Sequence, residues 1–209
     1  MPYSHNTRAE LNRLLQERND YPERSTAIDT EIRAVFEQDC AMFILDLSGF
    51  SRLTVRYGVI HFLGMVHRMN AIATPLVTQH HGRVVKQEAD NLFAVFPTVQ
   101  GAIDSAVAIL KGFAAVNTDL PDEQDLYAGI GIGYGKTLVV DETDLYGSEM
   151  NLACKLGEDL ARRGEVLLTE AAFSQLQTDP QQWERLDLTI SELELIAYKL
   201  RTIPTAILH

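Results

Sequence analysis

A strand that runs into an aspartate is the central feature of this chain, in the stretch Ala41-Met42-Phe43-Ile44-Leu45-Asp46-Leu47-Ser48-Gly49-Phe50. The apolar run predicts a buried strand over residues 41–47. A carboxylate at the tip of such a strand is held rigidly while its oxygens stay exposed. Asp46 is therefore a candidate metal ligand, although an aspartate in this place can also cap the helix that follows.

A second aspartate lies in the turn of a predicted hairpin. Its strands are residues 83–88 and 91–96, and Ala89-Asp90 joins them. Taken alone, Asp90 is an ordinary turn residue. The topology, however, brings this turn beside the end of the first strand, so Asp46 and Asp90 together predict an oxygen-rich site of the kind that Mg²⁺ or Mn²⁺ prefers. Such a metal pair, facing a nucleoside triphosphate, is a standard arrangement for phosphoryl chemistry.

The order of the predicted elements indicates an α+β fold. After strand 41–47 come a helical stretch over about 51–81 with an interruption near Tyr57-Gly58, the hairpin, a helix over 98–117 and a strand over 126–134. This βαββαβ order is the ferredoxin-like plan, an antiparallel sheet with both helices on one face. Extra C-terminal α/β elements follow: a strand near 137–140, a helix from 147 to about 162, a strand over 165–168, a helix from about 169, and further β segments.

The first 37 residues form a polar N-terminal segment. Leucine and isoleucine recur at helical spacing in 8–18 and 28–35, and Tyr21-Pro22 separates the two stretches. We therefore expect a helical extension over 1–37 that packs on the outside of a domain formed by 38–209, or on a partner chain.

Composition and charge argue against several classes of partner. The chain has 209 residues, 46% of them hydrophobic, which suits one domain with a short extension. A net charge of -11 argues against nucleic acid and against an anionic membrane surface, because both attract clustered lysine and arginine. Cys40 and Cys154 have no metal-ligand spacing and are typical of reduced thiols. The sequence shows no apolar run of about 18 residues and no signal peptide, so we expect a cytoplasmic protein.

The residues after Asp46 are a candidate phosphate loop. Leu47-Ser48-Gly49-Phe50 leads into a helix, whose free backbone N–H groups could bind phosphates. Gly49 could instead serve only the turn. On the first interpretation, Ser48, Gly49 and Phe50 bind the substrate.

Two charged residues could read a purine base. Lys86 lies four residues before Asp90, and Asp144 lies in an acidic loop. A carboxylate accepts from the exocyclic amine of adenine and an ammonium donates to a ring nitrogen, whereas guanine presents the reverse pattern. Each residue also has a simpler interpretation, as a solvated strand lysine and as part of an ordinary loop.

Asn151 and Lys155 lie one helical turn apart and share a face. Such a pair could be a polar stripe that faces solvent. It could also supply an amide that orients a ribose and a cation that offsets developing phosphate charge.

Four stretches of the chain, in the same order and spacing, resemble the catalytic domain of the class III nucleotidyl cyclases. Residues 43–53 resemble the first metal motif of that family, and residues 85–96 resemble its hairpin with the purine-binding lysine and the second metal aspartate. Residues 129–135 are similar to its central glycine-rich strand. Residues 144–155 resemble the segment with its purine-binding aspartate and transition-state helix. The resemblance covers residues 38–200 or so.

This resemblance implies a fold, an activity and an assembly. The fold would be the ferredoxin-like cyclase catalytic domain, here residues 38–209, and the reaction would convert ATP to 3′,5′-cyclic AMP and pyrophosphate. The family works as a head-to-tail homodimer with sites at the interface. Asp46, Asp90 and the backbone carbonyl of Leu47 in one subunit would then bind two Mg²⁺ or Mn²⁺ ions. Residues that select the base and act in catalysis would come from the other subunit, namely Lys86, Asp144, Asn151 and Lys155.

The chain departs from the family pattern at three places. The family usually has arginine where this chain has Lys155 and glycine where it has Ala89. The family often has a phosphate-binding lysine in a loop near the C-terminus, where this chain reads Ile190-Ser191-Glu192-Leu193-Glu194. Lys199 and Arg201 are candidate substitutes for that lysine.

These departures leave an alternative function open. The chain could be a catalytically weak or inactive cyclase-like module that binds a nucleotide and regulates another protein. A diguanylate-forming relative is disfavoured, because the hairpin reads Glu88-Ala89-Asp90-Asn91 and not Gly-Gly-Asp-Glu-Phe.

Overall fold

The computed structural model describes residues 5–141, 143–177, 180–190 and 193–201. Its strands are β1 Glu37–Leu47, β2 Arg83–Glu88, β3 Asn91–Phe96, β4 Ala128–Val140, β5 Asp144–Tyr146, β6 Val166–Thr169, β7 Trp183–Ile190 and β8 Leu193–Leu200. Its helices are α1 Arg8–Asp20, α2 Ser25–Phe36, α3 Phe50–Tyr57, α4 Val59–Gln79, α5 Val99–Asn117, α6 Ser148–Cys154 and α7 Glu170–Phe173. The described strands form one sheet in the order β2-β3-β1-β4-β6-β8-β7, and β5 pairs with β4.

Strand β1 lies inside the sheet because its residues are apolar on both faces. Phe43 and Leu45 belong to the core on one face, Met42 and Ile44 belong to the core on the other, and all four are fully buried. β1 pairs antiparallel with β3 and with β4. The predicted strand over 41–47 is therefore confirmed, and the structure extends its start to Glu37.

The two long helices pack on one face of the sheet, as the ferredoxin-like plan predicts. Met69 and Ala73 of α4 share a buried cluster with Ile109 and Phe113 of α5. The face of β1 that carries Phe43 belongs to the same cluster. The predicted interruption near Tyr57-Gly58 is confirmed, since Gly58 has a φ of 86° between α3 and α4. The predicted hairpin is also confirmed at its stated bounds. The α+β fold therefore follows the predicted βαββαβ order.

Helix α5 is the most apolar long helix of the described residues. It spans 19 residues, and an 18-residue window of it has a mean hydropathy of 1.4, so by length and composition alone it is long and apolar enough to cross a membrane. Its apolar side, which includes Ala106, Ile109, Leu110 and Phe113, is buried against the sheet. This burial is typical of a core helix within a folded domain.

The glycine-rich strand β4 allows a helix to lie directly on the sheet. Gly129, Gly131 and Gly133 alternate along β4 and therefore share one face. A Cβ atom on Gly131 would lie 2.1 Å from the carbonyl oxygen of Ala153 and 2.5 Å from the backbone nitrogen of Gly157. Both distances are too short for any side chain, so only glycine permits this contact.

Two predicted elements at the C-terminal side were wrong in their extent. The separate strand expected near 137–140 is the second half of the continuous strand β4, because Leu138 still pairs with Glu37 of the long strand β1. The helix expected from 147 to about 162 ends as an α-helix at Cys154 and continues as a π-helical turn over Lys155–Leu160. This turn contains Gly157, the residue that lies against the backbone of β4.

The N-terminal extension packs against the C-terminal end of β4. Leu11 and Leu14 of α1 form a buried cluster with Ile28 and Phe36 of α2 and with Val140. The extension thus packs against the sheet of its own chain, which is one of the two arrangements expected from the sequence.

Candidate functional site

The two candidate metal ligands lie side by side at one end of the sheet. Asp46 is the second-last residue of β1 and pairs with Asn91 of β3 and with Gly129 of β4. The backbone N–H of Leu47 donates to the backbone carbonyl of Asp90 at 3.3 Å, which ties the hairpin turn to the end of β1. The structure therefore brings both carboxylates and the backbone of Leu47 together, as the sequence predicted.

The surroundings of these two carboxyl groups favour the neutral, protonated form. Burial, followed by the nearby charges of Asp90, Glu158 and Asp159, raises the pKa of Asp46 to about 7. Asp90 is only 8% exposed, and burial raises its pKa as well. A divalent cation would relieve this repulsion, and carboxylate oxygens are the donors that Mg²⁺ and Mn²⁺ prefer, so the donor set fits such an ion.

This donor set is incomplete within one chain. In the part of the chain that the structure describes, no three His, Cys, Asp or Glu side chains converge to hold a metal ion. Mg²⁺ commonly binds through one or two carboxylates and completes its shell with substrate phosphates and water. The arrangement of Asp46 and Asp90 is therefore the kind that binds metal together with a phosphorylated substrate.

The segment after Asp46 turns sharply and opens helix α3. Gly49 has a φ of 87° in the left-handed region and precedes the helix with no side-chain cap. Asp46 is therefore not the helix cap that the sequence also allowed. The N–H of Ser48 already donates to the carbonyl of Tyr127 at 2.8 Å, so phosphate would meet the N–H groups that follow it. Phe50 begins α3, and its side chain lies outside the described residues.

Lys86 and Asp144 form a direct ion pair. The Nζ atom of Lys86 lies 3.0 Å from Oδ1 of Asp144 and 2.9 Å from Oε2 of Glu88, and it stands 4.6 Å from the ring centre of Phe93. The lysine side chain is 21% exposed, which argues against a freely solvated lysine. The structure thus joins a donor and an acceptor of the kind that adenine requires.

Hydrogen bonds keep both members of this pair charged. Burial lowers the pKa of Lys86, but hydrogen bonds to Glu88 and Asp144 outweigh it and raise the pKa overall. Burial raises the pKa of Asp144, but hydrogen bonds from Lys86, the backbone of Leu145 and Tyr146 outweigh it and lower the pKa overall. At neutral pH the pair therefore presents an ammonium and a carboxylate.

The two candidate catalytic side chains lie on the helix seated against β4. The backbone N–H of Lys155 donates to the carbonyl of Asn151, so the two residues are one turn apart as predicted. Asn151 is exposed and Lys155 is half-buried. Among the hydrogen bonds of the described residues, none joins either side chain to the carboxylate pair or to the Lys86–Asp144 pair.

The candidate metal ligand Asp46 and the base-type carboxylate Asp144 pair with opposite ends of β4. Asp46 pairs with Gly129, at the start of that strand. Asp144 pairs with Val140, at its end. Within one chain, the metal-type carboxylates and the base-type carboxylate are thus separated along the sheet.

Comparison with curated proteins finds two relatives. "Putative adenylate cyclase 3" of Rhizobium meliloti (strain 1021) is 31% identical over 130 residues, which cover 62% of this chain and 22% of the relative. The serine/threonine-protein kinase pkn2 of Myxococcus xanthus is 26% identical over 134 residues, which cover 64% of this chain and 16% of that kinase. No protein-family model matches the chain.

Among solved structures, the adenylate/guanylate cyclase/hydrolase from Silicibacter pomeroyi has the same fold. The two structures superpose with a TM-score of 0.66 at 21% sequence identity. The superposition covers 79% of this chain and 98% of the Silicibacter chain. The chain therefore has the fold of the adenylate and guanylate cyclase catalytic domains. The chain spans about a fifth of the length of the curated relatives it matches.

One cation beside the candidate phosphate loop was missed in the sequence. A Cβ atom on Gly49 would lie 3.2 Å from Nη2 of Arg163. The same guanidinium stands 4.8 Å from the ring centre of Tyr127, whose carbonyl accepts from Ser48. No local pattern marks Arg163, because more than a hundred residues separate it from Gly49 in the chain.

Lys199 and Arg201, which the sequence suggested as substitutes for the family's phosphate-binding lysine, are bonded to other residues. The Nζ atom of Lys199 lies 2.9 Å from Oε2 of Glu184 and 3.7 Å from Oε1 of Glu165. Arg201 donates to the carbonyl of Trp183 at 3.0 Å. Ser191 and Glu192, in the loop compared with the family's lysine loop, lie outside the described residues.

The hairpin turn accommodates Ala89 at a local cost in backbone conformation. Ala89 replaces the usual glycine and has a φ of 51°, in the left-handed region. That conformation costs a residue with a Cβ atom roughly 1 kcal/mol. The hairpin turn nevertheless closes beside β1, where it places Asp90.

Proposed function

We propose that this cyclase domain is an adenylate cyclase that converts ATP to 3′,5′-cyclic AMP and pyrophosphate. The observation that carries this proposal is the Lys86–Asp144 ion pair of 3.0 Å. The carboxylate of Asp144 would accept from the exocyclic amine of adenine while the ammonium of Lys86 donates to a ring nitrogen. Guanine would place a carbonyl oxygen against the carboxylate, which repels it. The name of the Rhizobium relative agrees with this choice of base.

The chemistry would rest on positioning and charge. The ribose 3′-oxygen attacks the α-phosphorus in line, the bond to the β-phosphate oxygen breaks, and the hydroxyl proton passes to solvent. Held by Asp46, Asp90 and the carbonyl of Leu47, two Mg²⁺ or Mn²⁺ ions would lower the pKa of the hydroxyl and offset phosphate charge. Asn151 would orient the ribose, and Lys155 would offset charge in the transition state.

A direct assay tests the choice of base. The purified chain, with Mn²⁺ and either ATP or GTP, should form cyclic AMP faster than cyclic GMP. Asp144→Asn should lower kcat/KM for ATP by at least about tenfold, because the hydrogen-bonded charge pair is lost, while kcat/KM for GTP changes less. Asp141→Asn is the matched control, since the Asp141 side chain is half exposed and pairs with Arg83 at 3.2 Å.

Two results of this assay would contradict the proposal. A preference for GTP would overturn the choice of base. Tight binding of ATP with no cyclic product would instead support the alternative function, a nucleotide-binding regulatory module.

We propose that Arg163 supplies the positive charge for the triphosphate in place of the family's loop lysine. Its guanidinium lies beside the Gly49 turn, and a guanidinium binds phosphate oxygens in a bidentate manner. Arg163→Ala should therefore lower kcat/KM for ATP about 10- to 100-fold. Arg162→Ala removes the same charge one residue earlier and should have less than about a threefold effect. If both changes lowered kcat/KM for ATP equally, the loss would come from the net charge of the protein and not from a contact between Arg163 and phosphate.

We propose that the domain works as a homodimer with shared sites. The separation of Asp46 and Asp144 along β4 supports this assembly. So does an exposed apolar patch on α3 and α4, formed by Val55, Val59, Ile60 and Leu63, which are 56–90% exposed. Side chains of this kind clustered on a surface are typical of an interface.

We also propose a cytoplasmic location, without nucleic acid or a membrane as partner. The support is the net charge of -11 and the state of the thiols. Cys40 and Cys154 are free, and burial raises their pKa values to about 11 and about 12, so neither is a reactive thiolate.

A further inference from the structure

The carboxylate of Asp144 is saturated with hydrogen bonds inside its own chain. Its Oδ1 atom accepts from Nζ of Lys86 at 3.0 Å and from the backbone N–H of Leu145 at 3.0 Å. Its Oδ2 atom accepts from Nη2 of Arg8 at 3.1 Å and from the hydroxyl of Tyr146 at 3.0 Å. A carboxylate has about four acceptor positions, so the exocyclic amine of a base finds none free.

The contact from Arg8 is the one that comes from outside the cyclase fold. Lys86, Leu145 and Tyr146 lie on the sheet that also carries Asp144, whereas Arg8 is the first residue of helix α1. Arg8 also donates to the hydroxyl of Tyr146 and stands 5.4 Å from the centre of its ring. Its side chain is 35% exposed, so the pair with Asp144 is of the modest strength that a ligand can displace.

The N-terminal segment is built to hold Arg8 in this place. The Asn6 side chain donates to the carbonyl of Val139 at 2.9 Å and accepts from the N–H of Asp141 at 3.1 Å, which fixes the segment to the end of β4. Thr7 caps α1 by accepting from the N–H of Glu10 at 3.2 Å. Arg8 therefore reaches Asp144 from an ordered helix start.

With Arg8 in place, the carboxylate of Asp144 has no free acceptor position. The remaining N–H groups of Lys86 and Arg8 suit the acceptor atoms of a purine, but the amine of adenine has no partner on Asp144. The cost of leaving that amine unpaired falls on ATP more than on GTP, whose corresponding atom is a carbonyl oxygen.

We infer that Arg8 competes with adenine for the Oδ2 atom of Asp144, so that the helical extension weakens ATP binding and lowers the preference for ATP over GTP. ATP binds when its amine displaces the guanidinium. This inference rests on the proposed function, because it takes Asp144 as the residue that accepts from adenine.

The experiment measures binding separately from turnover. The full chain is titrated calorimetrically, in the presence of Mg²⁺, with α,β-methylene analogues of ATP and GTP, which cannot release pyrophosphate. Arg8→Met removes the guanidinium and keeps an unbranched side chain. It should tighten binding of the ATP analogue about three- to tenfold and leave binding of the GTP analogue within about twofold.

Two controls isolate the contact. Arg13→Met removes the same charge from the same helix, where Arg13 bonds to Glu10 and Glu17, and it should leave both affinities within about twofold. In a chain that already carries Asp144→Asn, Arg8→Met should no longer tighten ATP binding, because the competed carboxylate is gone. Circular dichroism confirms that each variant is folded.

Each contrary outcome has a distinct meaning. Unchanged or weaker ATP binding by a folded Arg8→Met chain would overturn the competition and leave the proposed function standing. Tightening that persists with Asp144→Asn would overturn it as well, since the effect would then be a general effect of charge. A wild-type chain that binds neither analogue would overturn the proposed function, and this inference with it.

Discussion

Asp90→Asn is expected to lower the rate of cyclic AMP formation by at least about a thousandfold while the chain stays folded. Asparagine keeps the shape of the side chain and its place in the hairpin turn, but it removes one of the two buried carboxylates at the end of the sheet. Asp46→Asn should have an effect of the same order. The measurement is the initial rate of cyclic AMP formation at saturating ATP and Mn²⁺.

A thermal melt distinguishes a loss of activity from a loss of folded structure. Burial and mutual repulsion destabilise the two carboxylates without a cation, so Asp90→Asn should melt at or above the temperature of the wild type in a chelator. Mg²⁺ should raise the melting temperature of the wild type by binding the folded state, and should raise that of the variant less.

The matched control is Asp39→Asn, because Asp39 lies on the same strand and is exposed. It should change neither the rate nor the response to Mg²⁺. Cyclic AMP formation near the wild-type rate by Asp90→Asn or Asp46→Asn would show that the metal ions are held by other groups.

Local sequence patterns were sufficient to predict the hairpin and the interruption between α3 and α4. The hairpin at 83–88 and 91–96 follows from alternation around a turn, and the interruption at Gly58 follows from the conformational freedom of glycine. The continuity of β4 did not follow, because its second half is held by pairing with the start of β1. The π-helical turn after Cys154 did not follow either, because the close contact of Gly157 with Gly131 involves two distant segments.

The same distinction applies to the candidate site. Asp46 and Asp90 end adjacent strands of a recognisable topology, so their proximity could be predicted. The Arg8–Asp144 contact joins residues 136 positions apart, and it depends on how the extension packs on β4. Arg163 reaches the Gly49 turn only through the packing of the chain around β4. Side chains delivered by tertiary packing carry no periodic signal, and these are the residues that the sequence left out.

Two inactive variants mixed together are expected to recover activity if the sites are shared between subunits. Asp46→Ala breaks the metal half of a site, and Asn151→Ala breaks the catalytic half. In a random mixture of equal amounts, half of the dimers are heterodimers. Each heterodimer combines the intact metal half of one chain with the intact catalytic half of the other, so the mixture should reach about a quarter of the wild-type rate.

The arrangement of the half-sites supplies a control that should not recover. Asp46→Ala mixed with Asp90→Ala breaks the same half in both chains, since these aspartates lie together at the end of β1. Every site in that mixture lacks one metal ligand and stays inactive. Tagged chains purified through both tags confirm that heterodimers have formed. Recovery by the first mixture alone would place the two halves on different subunits, whereas confirmed heterodimers of Asp46→Ala and Asn151→Ala without activity would place both halves within one chain.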